Sequence, residues 1–174
     1  LFTFPKSGER RSKSTITGEM INLIASTQEE VFVVNPFFDY DGTELFLNAF
    51  VSATKSSQLT IITRDIFMGN KSNKKPLKMV AEAIEESVNI ENFNLREFKK
   101  ESFPDGSIHA KMIVSDEKRA FLGSANITKN SQQRAFEAGV LTEGERVKSL
   151  NSSIEDFLYS DFVDNVSLDR LLNS

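Results

Sequence analysis

The stretch "IHAKMIVSDEKRAFLGSAN", residues 108–126, decides how the chain is read. It holds His109, the one histidine among 174 residues. The runs Ser107 to Asp116 ("SIHAKMIVSD") and Arg119 to Ser124 ("RAFLGS") are strand-like, with turn residues between them. The period of two puts His109 and Lys111 on one face of the first strand and Ala110, Met112 and Val114 on the other. An imidazole and an ammonium therefore point together. Burying that lysine on a sheet face without a partner would cost several kcal/mol, so the pair calls for an anion. Phosphate meets the need: Gly123 lets the backbone come close, while Ser124 and Asn126 offer a hydroxyl and an amide to phosphoryl oxygens.

Outward from this stretch, strands and helices alternate. "EVFVVNPFF" (Glu30 to Phe38) is β-branched and aromatic, and "TELFLNAFVSATK" sets Leu45, Phe46, Ala49 and Phe50 at helical spacing behind the N-cap candidate Thr43. "QLTIITR" (Gln58 to Arg64) reads as a buried strand. "PLKMVAEAIEESV" opens a helix at Pro76 and carries Met79, Val80, Ala83 and Ile84 on one face. "NLREF" (Asn94 to Phe98) and "FEAGVLTEG" (Phe136 to Gly144) add strands. A helix around Glu145 to Tyr159 turns Val147, Leu150, Ile154, Phe157 and Leu158 inward. The pattern implies an α/β fold, a mixed β-sheet flanked by helices on both faces. Residues 1–14 are expected to be a flexible segment or linker, and residues 15–174 a single domain.

Composition narrows the function classes. With 39% apolar residues the chain can bury a core unaided, and the absence of cysteine excludes thiol catalysis, Cys-ligated zinc and disulfide scaffolding. No apolar run is long enough to span a bilayer and the opening "LFTFPKSGERRSKS" is too polar for a signal peptide, so a cytoplasmic setting without membrane attachment is expected. A start at Leu1 rather than Met points to additional domains in a longer protein. The net charge of −4 argues against an overall electrostatic grip on nucleic acid. Yet Arg64, Lys71, Lys74, Lys75 and Lys78 face the single acid Asp65 between residues 64 and 78, whereas from Glu137 onward acids outnumber bases eight to three. A basic loop on an acidic chain is either a phosphate contact or a solvated loop with no partner.

The spacing His109, Lys111, Asp116, Gly123, Ser124, Asn126 resembles the HKD motif of the phospholipase D superfamily, with every signature position matched. The order of strands and helices from Thr15 to Tyr159 is similar to one half of that family's fold. The resemblance implies phosphodiester hydrolysis through a covalent phosphohistidine, a second histidine protonating the leaving oxygen. A neutral imidazole is a competent nucleophile near pH 7, and a protonated partner can be the general acid. Lys111 and Asn126, each doubled by a second copy, would neutralise the phosphoryl oxygens as a metal ion does elsewhere. No metal or other cofactor is expected, since Asp116, Glu117 and His109 do not make a credible ligand set. One histidine cannot run a two-histidine mechanism. The second comes from a homodimer joined through the motif face, or from another motif outside this sequence.

Among the remaining candidates, Asp116 takes the acidic position of the motif but lies past the strand's end, out of line with His109 and Lys111, which suits a structural or orienting task. Glu137, where the family often has an acid near the site, is the candidate that orients the imidazole. Ser124 joins Lys111 and Asn126 as a phosphate donor. Arg64, Lys71, Lys74 and Lys75, with Phe37, Phe38 and Tyr40 after the first strand, suit nucleic acid through phosphate contacts and base stacking. A nuclease acting on DNA or RNA is therefore the expected function. A lipid phosphodiesterase and a non-catalytic binding or dimerisation module are the alternatives.

Overall fold

Thr15 caps a helix by accepting a hydrogen bond from the Gly18 amide at 3.1 Å, an element without a counterpart in the sequence reading. The computed structural model describes residues 2–3, 15–68, 73–87, 90–99 and 106–174; most of the expected flexible segment 1–14 lies outside them. In chain order the elements are β1 (Phe2–Thr3), α1 (Ile16–Ala25), β2 (Glu30–Val34), α2 (Tyr40–Glu44), α3 (Leu47–Ser56), β3 (Gln58–Thr63), α4 (Lys74–Ser87), a 3-10 turn (Ile90–Asn92), β4 (Phe93–Phe98), β5 (Met112–Ser115), β6 (Arg119–Gly123), α5 (Lys129–Gln133), β7 (Glu137–Glu143), α6 (Glu145–Leu158), β8 (Val163–Asn165) and α7 (Leu168–Leu172).

The described strands form one sheet in the order β1-β7-β6-β5-β2-β3-β4-β8. Its centre is parallel, with Val31 opposite Leu59 and Leu59 opposite Phe93, and both margins are antiparallel. Alternation along β2 sorts the core into two layers. Val31 and Val33 pack with α1, α3, α4 and α7, while Phe32 and Val34 pack with Ile62, Val114 and the α6 residues Val147 and Ile154. This is the expected mixed sheet with helices on both faces.

Four local expectations are corrected. The strand expected over Glu30 to Phe38 ends at Val34, because Pro36 has no amide to continue a ladder. The helix expected behind Thr43 is two helices: Asp39 caps α2 by accepting from Gly42 N at 2.7 Å, Thr43 is buried inside it, and Leu45 is exposed in the turn before α3. Helix α4 starts at Lys74, and its buried face is Leu77, Val80, Ala81 and Ile84, with Met79 and Ala83 only half-buried. The strand expected over Ser107 to Asp116 is regular only from Met112 to Ser115, although Gly123 N still reaches Lys111 O at 3.1 Å. β8 and α7 were not anticipated.

Candidate active site

β5 and β6 are joined by the three residues 116–118, of which Asp116 and Glu117 both have positive φ, 54° and 52°. That geometry matches the twist of a hairpin but is unusual for residues with side chains. Asp116 compensates by accepting from three successive amides at the entry to β2, Gln28 at 3.1 Å, Glu29 at 2.8 Å and Glu30 at 3.1 Å. The strand separates it from His109, and these three bonds make Asp116 part of the platform that presents the strand, in keeping with the structural or orienting task read from the sequence.

At the other end of β5, His109 is exposed and Lys111 only 7% exposed. The Lys111 ammonium donates to the His109 carbonyl at 2.7 Å and lies 3.0 Å from Nδ1 and 3.3 Å from Nε2 of the ring. The two side chains point together, as the sequence indicated. An ammonium has no lone pair, so a ring nitrogen that bonds it is unprotonated. Burial pushes Lys111 below the ordinary lysine value, and the negative charge of Glu137 acts the other way.

Glu137 opens β7 and is 8% exposed. The Ser124 hydroxyl donates to its carboxylate, and the Ala138 amide donates to the Ser124 hydroxyl oxygen at 3.1 Å. The Ser124 hydroxyl, expected to meet a phosphate, is here bonded to Glu137. The close β6–β7 approach depends on two facing glycines: a Cβ at Gly123 would meet Phe121 Cζ at 2.6 Å, and one at Gly139 would meet Phe121 Cε2 at 2.4 Å. The Phe121 ring fills the space both leave open.

Asn126 follows β6 as the chain leaves the sheet. Its Oδ1 is enclosed and has no hydrogen-bond partner among the described residues, an unsatisfied acceptor that calls for a functional explanation. Its backbone is tightly held. Asn35 Nδ2 donates to Ala125 O at 3.3 Å, Ile127 N donates to Asn35 Oδ1 at 3.4 Å, and Gln132 Nε2 donates to Asn126 O at 2.6 Å. Gln132 is in turn fixed by Thr17, whose hydroxyl donates to Oε1 at 2.7 Å. Asp39 accepts from Lys129 N at 2.9 Å, tying α5 to α2. Buried Asn73 donates to Pro36 O at 2.9 Å and Thr63 Oγ1 at 2.9 Å, and accepts from Phe38 N at 3.0 Å. None of these positioning residues was identified from sequence. The signal available was Asp39 as a cap ahead of "YDGTE".

The basic run divides. Arg64 pairs with Asp65 at 2.8 Å, donates to Ser107 and lies 4.9 Å over the Phe37 ring, so it braces the segment leading to His109. Lys75 lines a groove of about 630 Å³ with Phe37, Tyr40 and Asn126. Lys74 is half-buried in the first turn of α4, and Lys71 lies outside the described residues. An apolar cavity of about 340 Å³, lined by Val34, Ile108, Met112, Leu150 and Phe157, opens beside His109 under α6. Among the described residues no three His, Asp or Glu side chains are grouped to hold a metal ion, and no helix is long and apolar enough to cross a membrane.

A family model described as "Cardiolipin synthase, PLD-like domain" matches residues 20–158, which includes the whole motif. The chain belongs to the phospholipase D superfamily. Cardiolipin synthase 2 of Staphylococcus epidermidis is 25% identical over 160 residues, 88% of this chain and 28% of that protein. DISARM protein DrmC of Bacillus paralicheniformis is 31% identical over 75 residues, 43% of this chain and 31% of that one. The chain thus spans under a third of these curated relatives. Among solved structures, the phospholipase D family member Nuc from Salmonella typhimurium superposes with a TM-score of 0.65 at 18% identity, covering 85% of this chain and 88% of Nuc. NucT from Helicobacter pylori gives 0.62 at 21%, covering 82% and 86%. Phosphatidylserine synthase from Haemophilus influenzae gives 0.69 at 14%, covering 95% of this chain and 39% of that one. These likenesses establish the superfamily fold.

Proposed function

We propose that this chain is a metal-independent phosphodiesterase that cleaves nucleic acid, working as a homodimer in which each copy contributes one motif to a composite site. The observation that carries the reading is Lys111, a 7%-exposed ammonium 3.0 Å from the imidazole of the chain's one histidine. A positive charge kept from water beside a nucleophile is stabilised when a phosphodiester arrives. An imidazole nitrogen of His109 attacks phosphorus, forming a P–N bond as the P–O bond to the leaving group breaks. The partner's His109 gives its proton to the leaving oxygen. Water then attacks phosphorus, the partner's His109 takes the water proton, and the P–N bond breaks. Lys111 and Asn126 of both copies balance charge on the non-bridging oxygens.

The groove shared by Lys75, Tyr40 and Asn126 supports a nucleic-acid substrate. Nuc and NucT, which this chain nearly spans, fit a chain of one-motif size. A second reading, hydrolysis of a lipid phosphodiester, is favoured by the apolar cavity beside His109, which has the lining an acyl chain requires. The deciding experiment incubates the protein with labelled DNA, RNA and phospholipid vesicles in EDTA, beside His109→Ala. Cleavage of nucleic acid that survives chelation and is lost in the variant is expected. Cleavage of lipid alone overturns the nuclease reading, cleavage of nothing leaves a binding module, and activity abolished by EDTA and restored by Mg²⁺ overturns the phosphohistidine route.

A further inference from the structure

The groove that leaves Asn126 has a built form. Phe38, 6% exposed, is fixed in the core, and its amide is held by Asn73 at 3.0 Å. Phe37 forms a wall, with the Arg64 guanidinium 4.9 Å over its ring. Tyr40 begins α2 with 56% of its surface exposed, a large ring left in water beside a cavity of about 630 Å³. Lys75 lines the same space, and no carboxylate among the described residues lies within ion-pair distance of it. The one acid in the lining, Asp39, already accepts from the amides of Gly42 and Lys129. An aromatic face, an ammonium with no ion pair among the described residues and the amide side chain of Asn130 thus meet in one groove that shares Asn126 with the active site.

We infer that this groove binds one nucleotide of a single-stranded nucleic acid next to the scissile phosphate, with the base stacked on Tyr40 and the adjoining phosphate on Lys75. The strandedness follows from the stacking. In a duplex both faces of every base are covered by neighbours, so an exposed ring can stack only on a base that has left the helix. Phosphate alone would need no aromatic ring, and an acyl chain would find no use for Lys75 or Asn130. The apolar cavity under α6 lacks such cations and amides in its lining, which marks the two spaces as chemically different.

This inference rests on the nuclease reading, and its test separates the two. Binding of fluorescent single-stranded and duplex oligonucleotides is measured by anisotropy in a His109→Ala background, which prevents turnover, with Tyr40→Ala, Tyr40→Phe and Lys75→Gln added singly. Thermal melts confirm that each variant is folded. Single strands should bind more tightly than duplex. Tyr40→Ala should weaken that binding about tenfold or more, and Tyr40→Phe, which keeps the ring, should not. Lys75→Gln should flatten log K against log[salt] by about 0.7 for a single strand. Tyr40→Ala without effect, or duplex bound as well as single strand, overturns the groove while leaving nucleic-acid cleavage standing. Binding of vesicles and of neither oligonucleotide overturns both.

Discussion

At one end of β5 a buried ammonium leans on an exposed imidazole; at the other, a carboxylate has taken up three backbone amides. Six residues of chain, on the order of 20 Å when extended, lie between His109 and Asp116. Both ends belong to one sequence motif, yet they differ in what they leave unsatisfied. Lys111 is desolvated and held below its ordinary value, with Glu137 the one charge opposing that shift. At the far end Glu30 is held above the ordinary carboxylate value by burial and by Glu155, with Glu117 and Asp116 adding to it, and Asn151 working against it. The first end is prepared to receive an anion and the second repels one. A motif of this kind therefore pools residues that meet the substrate with residues that build the strand presenting them.

The comparison is broken most severely at His109. His109→Ala should lower turnover by about 10³-fold or more with an unchanged melting temperature. Mixed in equal amounts with the intact chain and allowed to exchange, it should leave about a quarter of the activity, because only dimers with both histidines turn over. About half remaining would show that each copy works alone. At the opposite end the effect should fall on stability. Asp116→Ala orphans amides of Gln28, Glu29 and Glu30 and should cost about 1–3 kcal/mol, read as a lower melting temperature, while kcat/KM per folded molecule stays within about twofold. A collapse of kcat/KM in a folded Asp116→Ala protein would return that residue to the chemistry. The smallest effect is a displacement in pH. Glu137→Gln removes the charge that raises Lys111, so Lys111 loses its proton at lower pH and the alkaline limb of kcat/KM should move toward acid. A limb that stays in place would mean that the protonated lysine is not required.

The parts of the site that could be read from sequence are those encoded by short-range spacing. His109 and Lys111 share a face because they are two apart, and Gly123 and Asn126 follow at the exit of the next strand. What could not be read are the residues that hold them, because their partners are distant in the chain. Asn35 grips a carbonyl 90 residues away, Asn73 one 37 away, and Thr17 meets Gln132 across 115. An isolated asparagine carries no periodicity, so nothing local distinguishes a buried strut from a surface amide. Ser124 shows the same limit. Its hydroxyl fits a phosphate by type, and only the pairing of β6 with β7 shows that it also bonds Glu137. The α/β architecture, by contrast, was plain from the strands and helices around Ile61, Val80 and Leu95, whose burial is close to complete.

The antiparallel seating of β5 against β2 has a consequence for the chain as it is made. Val34 pairs with Met112 and Val31 with Ser115, so roughly eighty residues must leave the ribosome after β2 before its second neighbour exists. At about 5–20 residues per second that is an interval of several seconds or more in which "VFVV" presents an open ladder edge. A nascent chain stalled inside this interval has β3 on one side of β2 and nothing on the other. Fragments ending before residue 112 should consequently pair edge to edge and aggregate, while those extended through β7 and α6 should stay in solution.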